Sequence, residues 1–339
     1  MNYKESQDIL TKVKKAKRIL VNCHRGPDPD SVGSALAITY VLKNMKKEVK
    51  IACPSEKIYD EVSFLKNYQN IQKNVDFRQI NFTDYDLFLA LDSSDWGMVT
   101  PDIKMPGSEI DLVVIDHHHT NTCFGALNLI DEEMSSTAEL VYLMFVDWGV
   151  KIDKDTATAL LTGIIGDTGI FKYPNTSYQT LDVSCKLMKA GAQKNLIIEN
   201  LYRNYDFRLI KFWAEALSLA QEDRENRFVY SMIPFEIFEK WGKPGNAKEL
   251  TADLFTQSVR DTDFGFVALE KQKNKVSVSL RARKNFDTSF IAEELGGGGH
   301  KAASGATVEG LPFESAAEKI LKVARVFAKK NLKKKGKQE

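Results

Sequence analysis

All five histidines of the 339-residue chain, His24, His117, His118, His119 and His300, lie in three short segments that also hold dense carboxylate or glycine clusters. These segments read His24-Arg-Gly-Pro-Asp28-Pro-Asp30, Asp116-His117-His118-His119 and Gly296-Gly297-Gly298-Gly299-His300. Neutral imidazole beside carboxylate is the donor mix that borderline divalent metals accept. Asp92, at the end of DLFLALD, and Asp167, after ALLTGIIG, extend the set. Carboxylates gathered at the ends of apolar runs repel one another and resist burial, so a pair of divalent ions is their natural counter-charge. The Asp28-x-Asp30 spacing lets one loop address two ions, and an aspartate from another strand can bridge them at about 3.5 to 4 Å, as in two-metal hydrolases. Mixed His/Asp ligation favours Mn2+, with Mg2+ or Co2+ as options.

Each segment alone also has a plain structural explanation. HRGPDPD reads as a Pro/Asp turn, and a lone Asp92 or Asp167 reads as a helix cap. Asp116 to His119 resists that explanation, because adjacent imidazoles after an apolar strand have no packing rationale. Jointly the segments point to one pocket, since independent turns and caps would not all fall where a sheet places its ligands.

The elements that must position these residues alternate. RILVNC at 18–23, EVKIAC at 48–53, DLFLALD at 86–92 and DLVVID at 111–116 are strand-like, with an opening helix ending near Lys17 and another over about 31–45. Such alternation implies a parallel α/β sheet, whose ligands bind outside the carboxyl ends of the strands. The pattern is helical from Ser135 to about Gln221, and strands return at RFVYSMI, FGFVALEKQ and KVSVSLRAR, the last two as a hairpin. Helices follow near 288–295 and from about Glu314. The expected fold is α/β: a parallel-sheet domain over 1–200 with helices on both faces, a helical linker over 201–224, and a smaller α/β domain over 225–331. A cleft is expected between the domains. The basic tail at 332–339 reads as a solvated helix end.

Composition narrows the partners. A net charge of +1 excludes a basic surface that wraps long DNA and favours short or small substrates. The four cysteines, Cys23, Cys53, Cys123 and Cys185, form no CxxC pair and read as inert core thiols without disulfides. The first residues lack an apolar signal core and no run of eighteen apolar residues follows, so the expected location is cytoplasmic, with no membrane partner.

The motifs together resemble the DHH phosphoesterase superfamily, named after the sequence that stands here as Asp116-His117-His118. His24-x-x-x-Asp28-x-Asp30-Ser-x-Gly33-Ser34 is similar to its first motif, LALDSSD to its second, IDHHHTN to its third and TGIIGDTGIF to its fourth. ELGGGGHKAASG is similar to the signature of the associated substrate domain. The resemblance implies that His24 and Asp28 bind one metal, Asp30 and His117 the other, and that Asp92 and Asp167 bridge both. It implies that His118 touches the scissile phosphate while Asp116 orients the neighbouring imidazole. Arg281, Gly297, Gly298, Gly299 and His300 would grip the substrate, the glycines through an anion-binding nest of backbone N–H groups. Two positions depart from the pattern: His119, which stays unassigned, and Ala282, where many relatives carry serine.

Within the superfamily, the chain looks like the compact nanoRNase group, which cuts short oligoribonucleotides to mononucleotides and in part also acts on 3'-phosphoadenosine 5'-phosphate. The expected partners are short RNA or small nucleotides, with a homodimer as an open option. The alternatives are a linear or cyclic dinucleotide (pApA, c-di-AMP) phosphodiesterase, a RecJ-type single-strand DNA exonuclease and, from another class, a catalytically silent nucleotide-binding protein.

Overall fold

The apolar runs become strands of a parallel sheet because both of its faces are covered. β1 (Arg18–Asn22), β2 (Glu48–Ala52), β3 (Ile71–Gln72), β4 (Leu87–Leu91), β5 (Leu112–Asp116) and β6 (Leu127–Ile130) lie in the order β3-β2-β1-β4-β5-β6, every neighbouring pair parallel. Ile19, Val21, Leu89, Leu91, Val113 and Ile115 face one core, and Leu20, Phe88, Ala90, Leu112 and Val114 the other. The edge strands β3 and β6 lack such runs and were not expected: β3 is two residues long, and β6 is mostly half-buried. The computed structural model describes residues 3–58, 60–100, 104, 110–283, 286–299 and 301–335, in two units, Met1–Asn204 and Tyr205–Glu339.

The helices of the first unit are α1 (Lys4–Lys15), α2 (Pro29–Asn44), α3 (Trp96–Val99), α4 (Thr137–Asp147), α5 (Lys154–Asp167), α6 (Tyr178–Lys189) and α7 (Lys194–Tyr202). All but α3 bury apolar residues in the first core, among them Ile9, Leu36, Leu140, Ile164, Leu187 and Ile197. The opposite face has a shorter helical cover among the described residues. It carries α3 and short 3-10 turns at Phe77–Gln79 and Phe82–Asp84, with Phe77 and Trp96 packed on Phe88 at ring distances of 6.5 and 6.1 Å.

The contact between α2 and α5 requires glycine. A Cβ on Gly33 would run into the Ala159 carbonyl oxygen, one on Gly163 into Asp30 and Ala138, and one on Gly166 into the Pro29 ring. The bare backbone brings Asp30, on the first turn of α2, close to the last turn of α5, which ends in Asp167.

The second unit holds α8 (Phe207–Ser218), α9 (Phe235–Lys240), α10 (Ala247–Phe255), α11 (Ser289–Glu294) and α12 (Phe313–Lys335). Its strands are β7 (Gln221–Asp223), β8 (Phe228–Ile233), β9 (Phe264–Gln272), β10 (Lys275–Ala282), β11 (Gly298–Gly299) and β12 (Ala303–Glu309), ordered β11-β12-β10-β9-β8-β7. Among the described residues only β8 and β9 pair in parallel. Helix α8, whose sequence lies in the stretch assigned to a linker, buries Leu209, Phe212 and Ala216 with Val229, Ile233 and Val267 of this unit. The basic run continues α12 as far as Lys335, and residues 336–339 lie outside the described residues. All four cysteines are free, but only Cys23 and Cys53 are core residues; Cys123 and Cys185 are exposed, against the expectation for them. Among the described residues no helix is long and apolar enough to cross a membrane.

Candidate metal centre

The strand order reverses direction between β1 and β4, and at such a switch point an α/β sheet leaves a crevice outside its carboxyl ends. Four of the predicted residues arrive there from strand ends: His24 just after β1, Asp92 just after β4, Asp116 closing β5 and His117 following it. Asp28 is the N-cap of α2, its Oδ1 accepting the N–H groups of Asp30 at 3.0 Å and Ser31 at 2.9 Å, with Pro29 at the first helical position. The plain capping role and the site role therefore coexist in this one carboxylate.

Three donor groups converge, each with its ligand atoms within 4.8 Å of one another: His24, Asp28 and Asp92; Asp30, His117 and Asp167; and Asp92, His117 and His118. Asp92 faces three imidazoles, Oδ2 lying 3.3 Å from His24 Nε2 and Oδ1 3.8 Å from His117 Nε2 and 3.7 Å from His118 Nδ1. Its backbone is left-handed, φ 51°, a region that non-glycine residues occupy at a cost and that recurs at functional sites.

The imidazoles are oriented from behind. His24 Nδ1 donates to the Arg25 carbonyl at 3.0 Å and His117 Nδ1 to the Met134 carbonyl at 3.2 Å, which leaves Nε2 of each ring as the inward donor atom. His118 Nδ1 donates to Asp116 Oδ1 at 2.7 Å, and Asn121 Nδ2 donates to Asp116 Oδ2 at 2.6 Å. His119 is exposed, as expected of an unassigned side chain.

Without a cation the pocket is electrostatically unbalanced. Burial, and then the charges of Asp92 and Asp167, push the Asp30 carboxyl well above its usual range. Burial also raises Asp167 to about 6, against the opposing pull of His117. Burial works against charge on His24 and His117, but Asp28 and Asp92 beside the first, and Asp167 and Asp92 beside the second, raise both well above normal. Asp28 moves the other way, to about 2, because His24 and the Ser31 N–H outweigh its desolvation. His117 Nε2 is buried and lies 3.1 Å from Asp167 Oδ2, yet makes no hydrogen bond. A buried donor atom left unpaired among carboxylates fits a divalent cation.

Sequence inspection passed over the residues that hold these side chains. Thr137 N and Ala138 N donate to the two oxygens of Asp30 at 2.7 and 2.9 Å, and the Thr137 hydroxyl donates to Asp92 Oδ1 at 3.0 Å. Asn175 Nδ2 reaches the carbonyls of Ser135 and Asp167. The available signal was Ser136-x-x-Glu139, the spacing of a helix-capping box at the head of α4.

In the second unit Arg281 is 16% exposed; its Nε donates to Asp253 Oδ1 at 2.6 Å and its Nη1 to Ser279 Oγ and Leu280 O, both at 3.0 Å. Gly297 and Gly299 have a packing reason, since a Cβ on either would collide with β12, whereas Gly298 has open space around it. His300 lies outside the described residues.

Comparison with known proteins covers both units. The model of the DHH family, N-terminal domain, matches residues 18–164, and that of the DHHA1 domain matches residues 230–330. A bifunctional oligoribonuclease and PAP phosphatase NrnA of Thermus thermophilus is 29% identical over 328 residues, covering 95% of this chain and 94% of the relative. Its Bacillus subtilis counterpart of the same name is 26% identical, with 86% and 89% covered. A solved structure of an exopolyphosphatase-related protein from Bacteroides fragilis has the same fold, with a TM-score of 0.85 at 22% identity and 96% of each chain covered. The fold and the donor set define a metal-dependent phosphoesterase. The chain carries a DHH domain over residues 18–164 and a DHHA1 domain over residues 230–330.

Proposed function

We propose that this protein hydrolyses short oligoribonucleotides to mononucleotides and removes phosphate from 3'-phosphoadenosine 5'-phosphate, using two divalent ions, Mn2+ in the native enzyme. The observation that carries the reading is the convergence of two His/Asp groups on the shared Asp92 at the switch point of the sheet. His24 and Asp28 would hold one ion, Asp30 and His117 the other, with Asp92 and Asp167 shared between them. Bound there, the ions would supply Lewis acidity to a phosphate ester and acidify the attacking water.

The chain's own groups do the rest. With Nδ1 of His118 committed to Asp116, contact with a phosphate oxygen falls to Nε2 of the same ring. Asp116, Asn121 and the burial of that carboxylate hold the ring in this orientation. The hydrogen bond and negative charge of Asp116, with Asp92 nearby, overcome the burial that opposes charge on His118 and raise its pKa. The shift favours the charged ring, which would present Nε2–H to a phosphate oxygen. In the second unit Arg281, Gly297, Gly298, Gly299 and His300 are assigned to the substrate's far phosphate or base. The substrate class rests on the two relatives named for oligoribonuclease and PAP phosphatase activity, which span nearly the whole chain. The location we propose for this activity is the cytoplasm.

The test is hydrolysis of a labelled panel in Mn2+, comprising 3'-phosphoadenosine 5'-phosphate, pApA, an RNA 5-mer, a DNA 5-mer and a 24-mer. Rapid turnover of the nucleotide and of short RNA, with the 24-mer spared, is the expected result. Exclusive cleavage of pApA would make the protein a dinucleotide phosphodiesterase, activity on the DNA 24-mer alone an exonuclease, and binding without turnover a nucleotide sensor.

A further inference from the structure

The head of α4 serves the metal centre as a single frame, although none of its side chains belongs to the donor groups. The carbonyl of Met134 accepts from His117, the N–H groups of Thr137 and Ala138 hold Asp30, and the Thr137 hydroxyl holds Asp92. Thr137 is wholly buried and touches two carboxylates that belong to different donor groups. Its hydroxyl meets Asp92 at Oδ1, the oxygen facing His117, while Oδ2 faces His24.

This frame is locked from beneath. Ser136 caps α4 by accepting the Glu139 N–H at 3.1 Å. The Glu139 carboxylate, fully buried, accepts through Oε2 from Ser135 N at 3.1 Å, Ser135 Oγ at 2.5 Å and Thr180 Oγ1 at 2.9 Å. A buried carboxylate spent on two donors of Ser135 and one of Thr180 on α6 ties the helix head to α6 and restricts its position, and with it the direction of the Thr137 N–H and hydroxyl.

We propose that Thr137 is the positioning residue that couples the two cation sites, its N–H fixing Asp30 and its hydroxyl fixing the oxygen of Asp92 turned toward His117. This inference rests on the two-ion reading of the site. Asp92 turns one oxygen to each side, Oδ2 toward His24 and Oδ1 toward His117, and free rotation about its Cβ–Cγ bond would let it serve one ion with both. The Thr137 hydroxyl opposes that rotation, so occupancy of the His24 side leaves Asp92 set for the His117 side. The backbone N–H survives any substitution except proline, so changing the side chain isolates the hydroxyl.

The experiment is calorimetric titration of metal-free protein with Mn2+, comparing the wild type with Thr137→Val and Thr137→Ser, with melting temperatures of the metal-free proteins measured alongside. The wild type is expected to take up two ions per chain. Thr137→Val, which keeps shape and removes the hydroxyl, should weaken the second uptake by about ten- to a hundred-fold, the range for residues that orient metal ligands. Thr137→Ser should restore it. At saturating Mn2+ the valine variant should regain kcat with KM unchanged, which a misfolded site would not do. If Thr137→Val proves unable to fold, Thr137→Ala carries the same expectation. Wild-type affinity in the variant lacking the hydroxyl overturns the proposal. A wild type that takes up no divalent ion overturns the two-ion reading itself, a different outcome from that.

Discussion

The histidine and aspartate cluster of the first unit and the arginine and glycine segment of the second differ in how their polar groups are occupied. In the first, His24, His117 and His118 each spend Nδ1 on a partner behind the ring, and a buried His117 Nε2 is left without a hydrogen bond. In the second, Arg281 already has a carboxylate, a hydroxyl and a carbonyl, and two of the glycines are explained by their packing on β12. Donor atoms aimed inward and unmatched mark a site built for a ligand. A cation already paired with a carboxylate has part of its charge and donors committed, so a further anion must compete with that partner. The donors of the first unit are thus preorganised, while the substrate contact proposed for Arg281 would have to compete with contacts of the fold.

The strongest attempt to break this contrast is Asp92→Ala, which removes the one carboxylate common to two donor groups. Turnover should fall by at least about a thousand-fold, since each factor of ten is about 1.4 kcal/mol and a metal centre contributes several. Mn2+ uptake measured by calorimetry should fall with it while far-ultraviolet circular dichroism is unchanged. His118→Ala comes next, with kcat lower by about a hundred- to ten-thousand-fold and Mn2+ uptake retained, the range for loss of a positioned proton donor. Loss of metal in this variant as well would show His118 to be a ligand, in line with its place in the third donor group.

How far the sequence led can be judged residue by residue. The strands β1, β4 and β5 were legible because a sheet covered on both faces needs continuous apolar runs, and residues at their ends were legible because chemistry restricts them to His and Asp. The edge strands were hidden, having too little buried surface to leave a pattern. Asp167 was legible as a carboxylate, but the closeness of α5 to α2 depends on Gly33, Gly163 and Gly166, which in sequence look like ordinary small residues of a helix. Thr137 and Asn121 escaped because hydrogen bonds to ligands come from residues of common type, and their role appears only when the chain closes on itself. Arg281 shows the converse, since a guanidinium in sequence does not disclose the Asp253 already beside it.

Gly163→Ala probes the packing that supports the centre. The added methyl would press on Asp30 and Ala138, so overpacking of about 1 to 3 kcal/mol is expected, seen as a lower melting temperature and weaker Mn2+ uptake. The effect of pH on the metal-free protein is smaller and has a definite sign. Asp167 is raised from 3.8 to about 6 in the fold, so its contribution to stability is present below pH 3.8 and is lost as pH rises through about 6. The raised His24 and His117 act in the same direction at higher pH. In chelator the melting temperature should therefore decline across this range relative to the Mn2+-loaded protein, and the gain on adding Mn2+ should be larger at pH 7 than at pH 5. An equal gain at both values would mean that the carboxylates are not the groups relieved by the metal.

Arg281 should give the smallest effect and the most direct reading of the second unit. If the guanidinium meets a substrate phosphate, Arg281→Ala should raise KM for the RNA 5-mer by about ten-fold with little change in kcat, as expected for one charge-assisted hydrogen bond lost far from the reacting atoms. Asp253→Asn should move KM the other way, because it weakens the partner against which the phosphate competes while the fork of donors remains. A structural ion pair predicts something else: both substitutions would lower the melting temperature together and leave KM alone. Opposite signs in KM would therefore give the second unit a substrate contact held in reserve by Asp253, and parallel losses of stability would confine binding to residues other than Arg281.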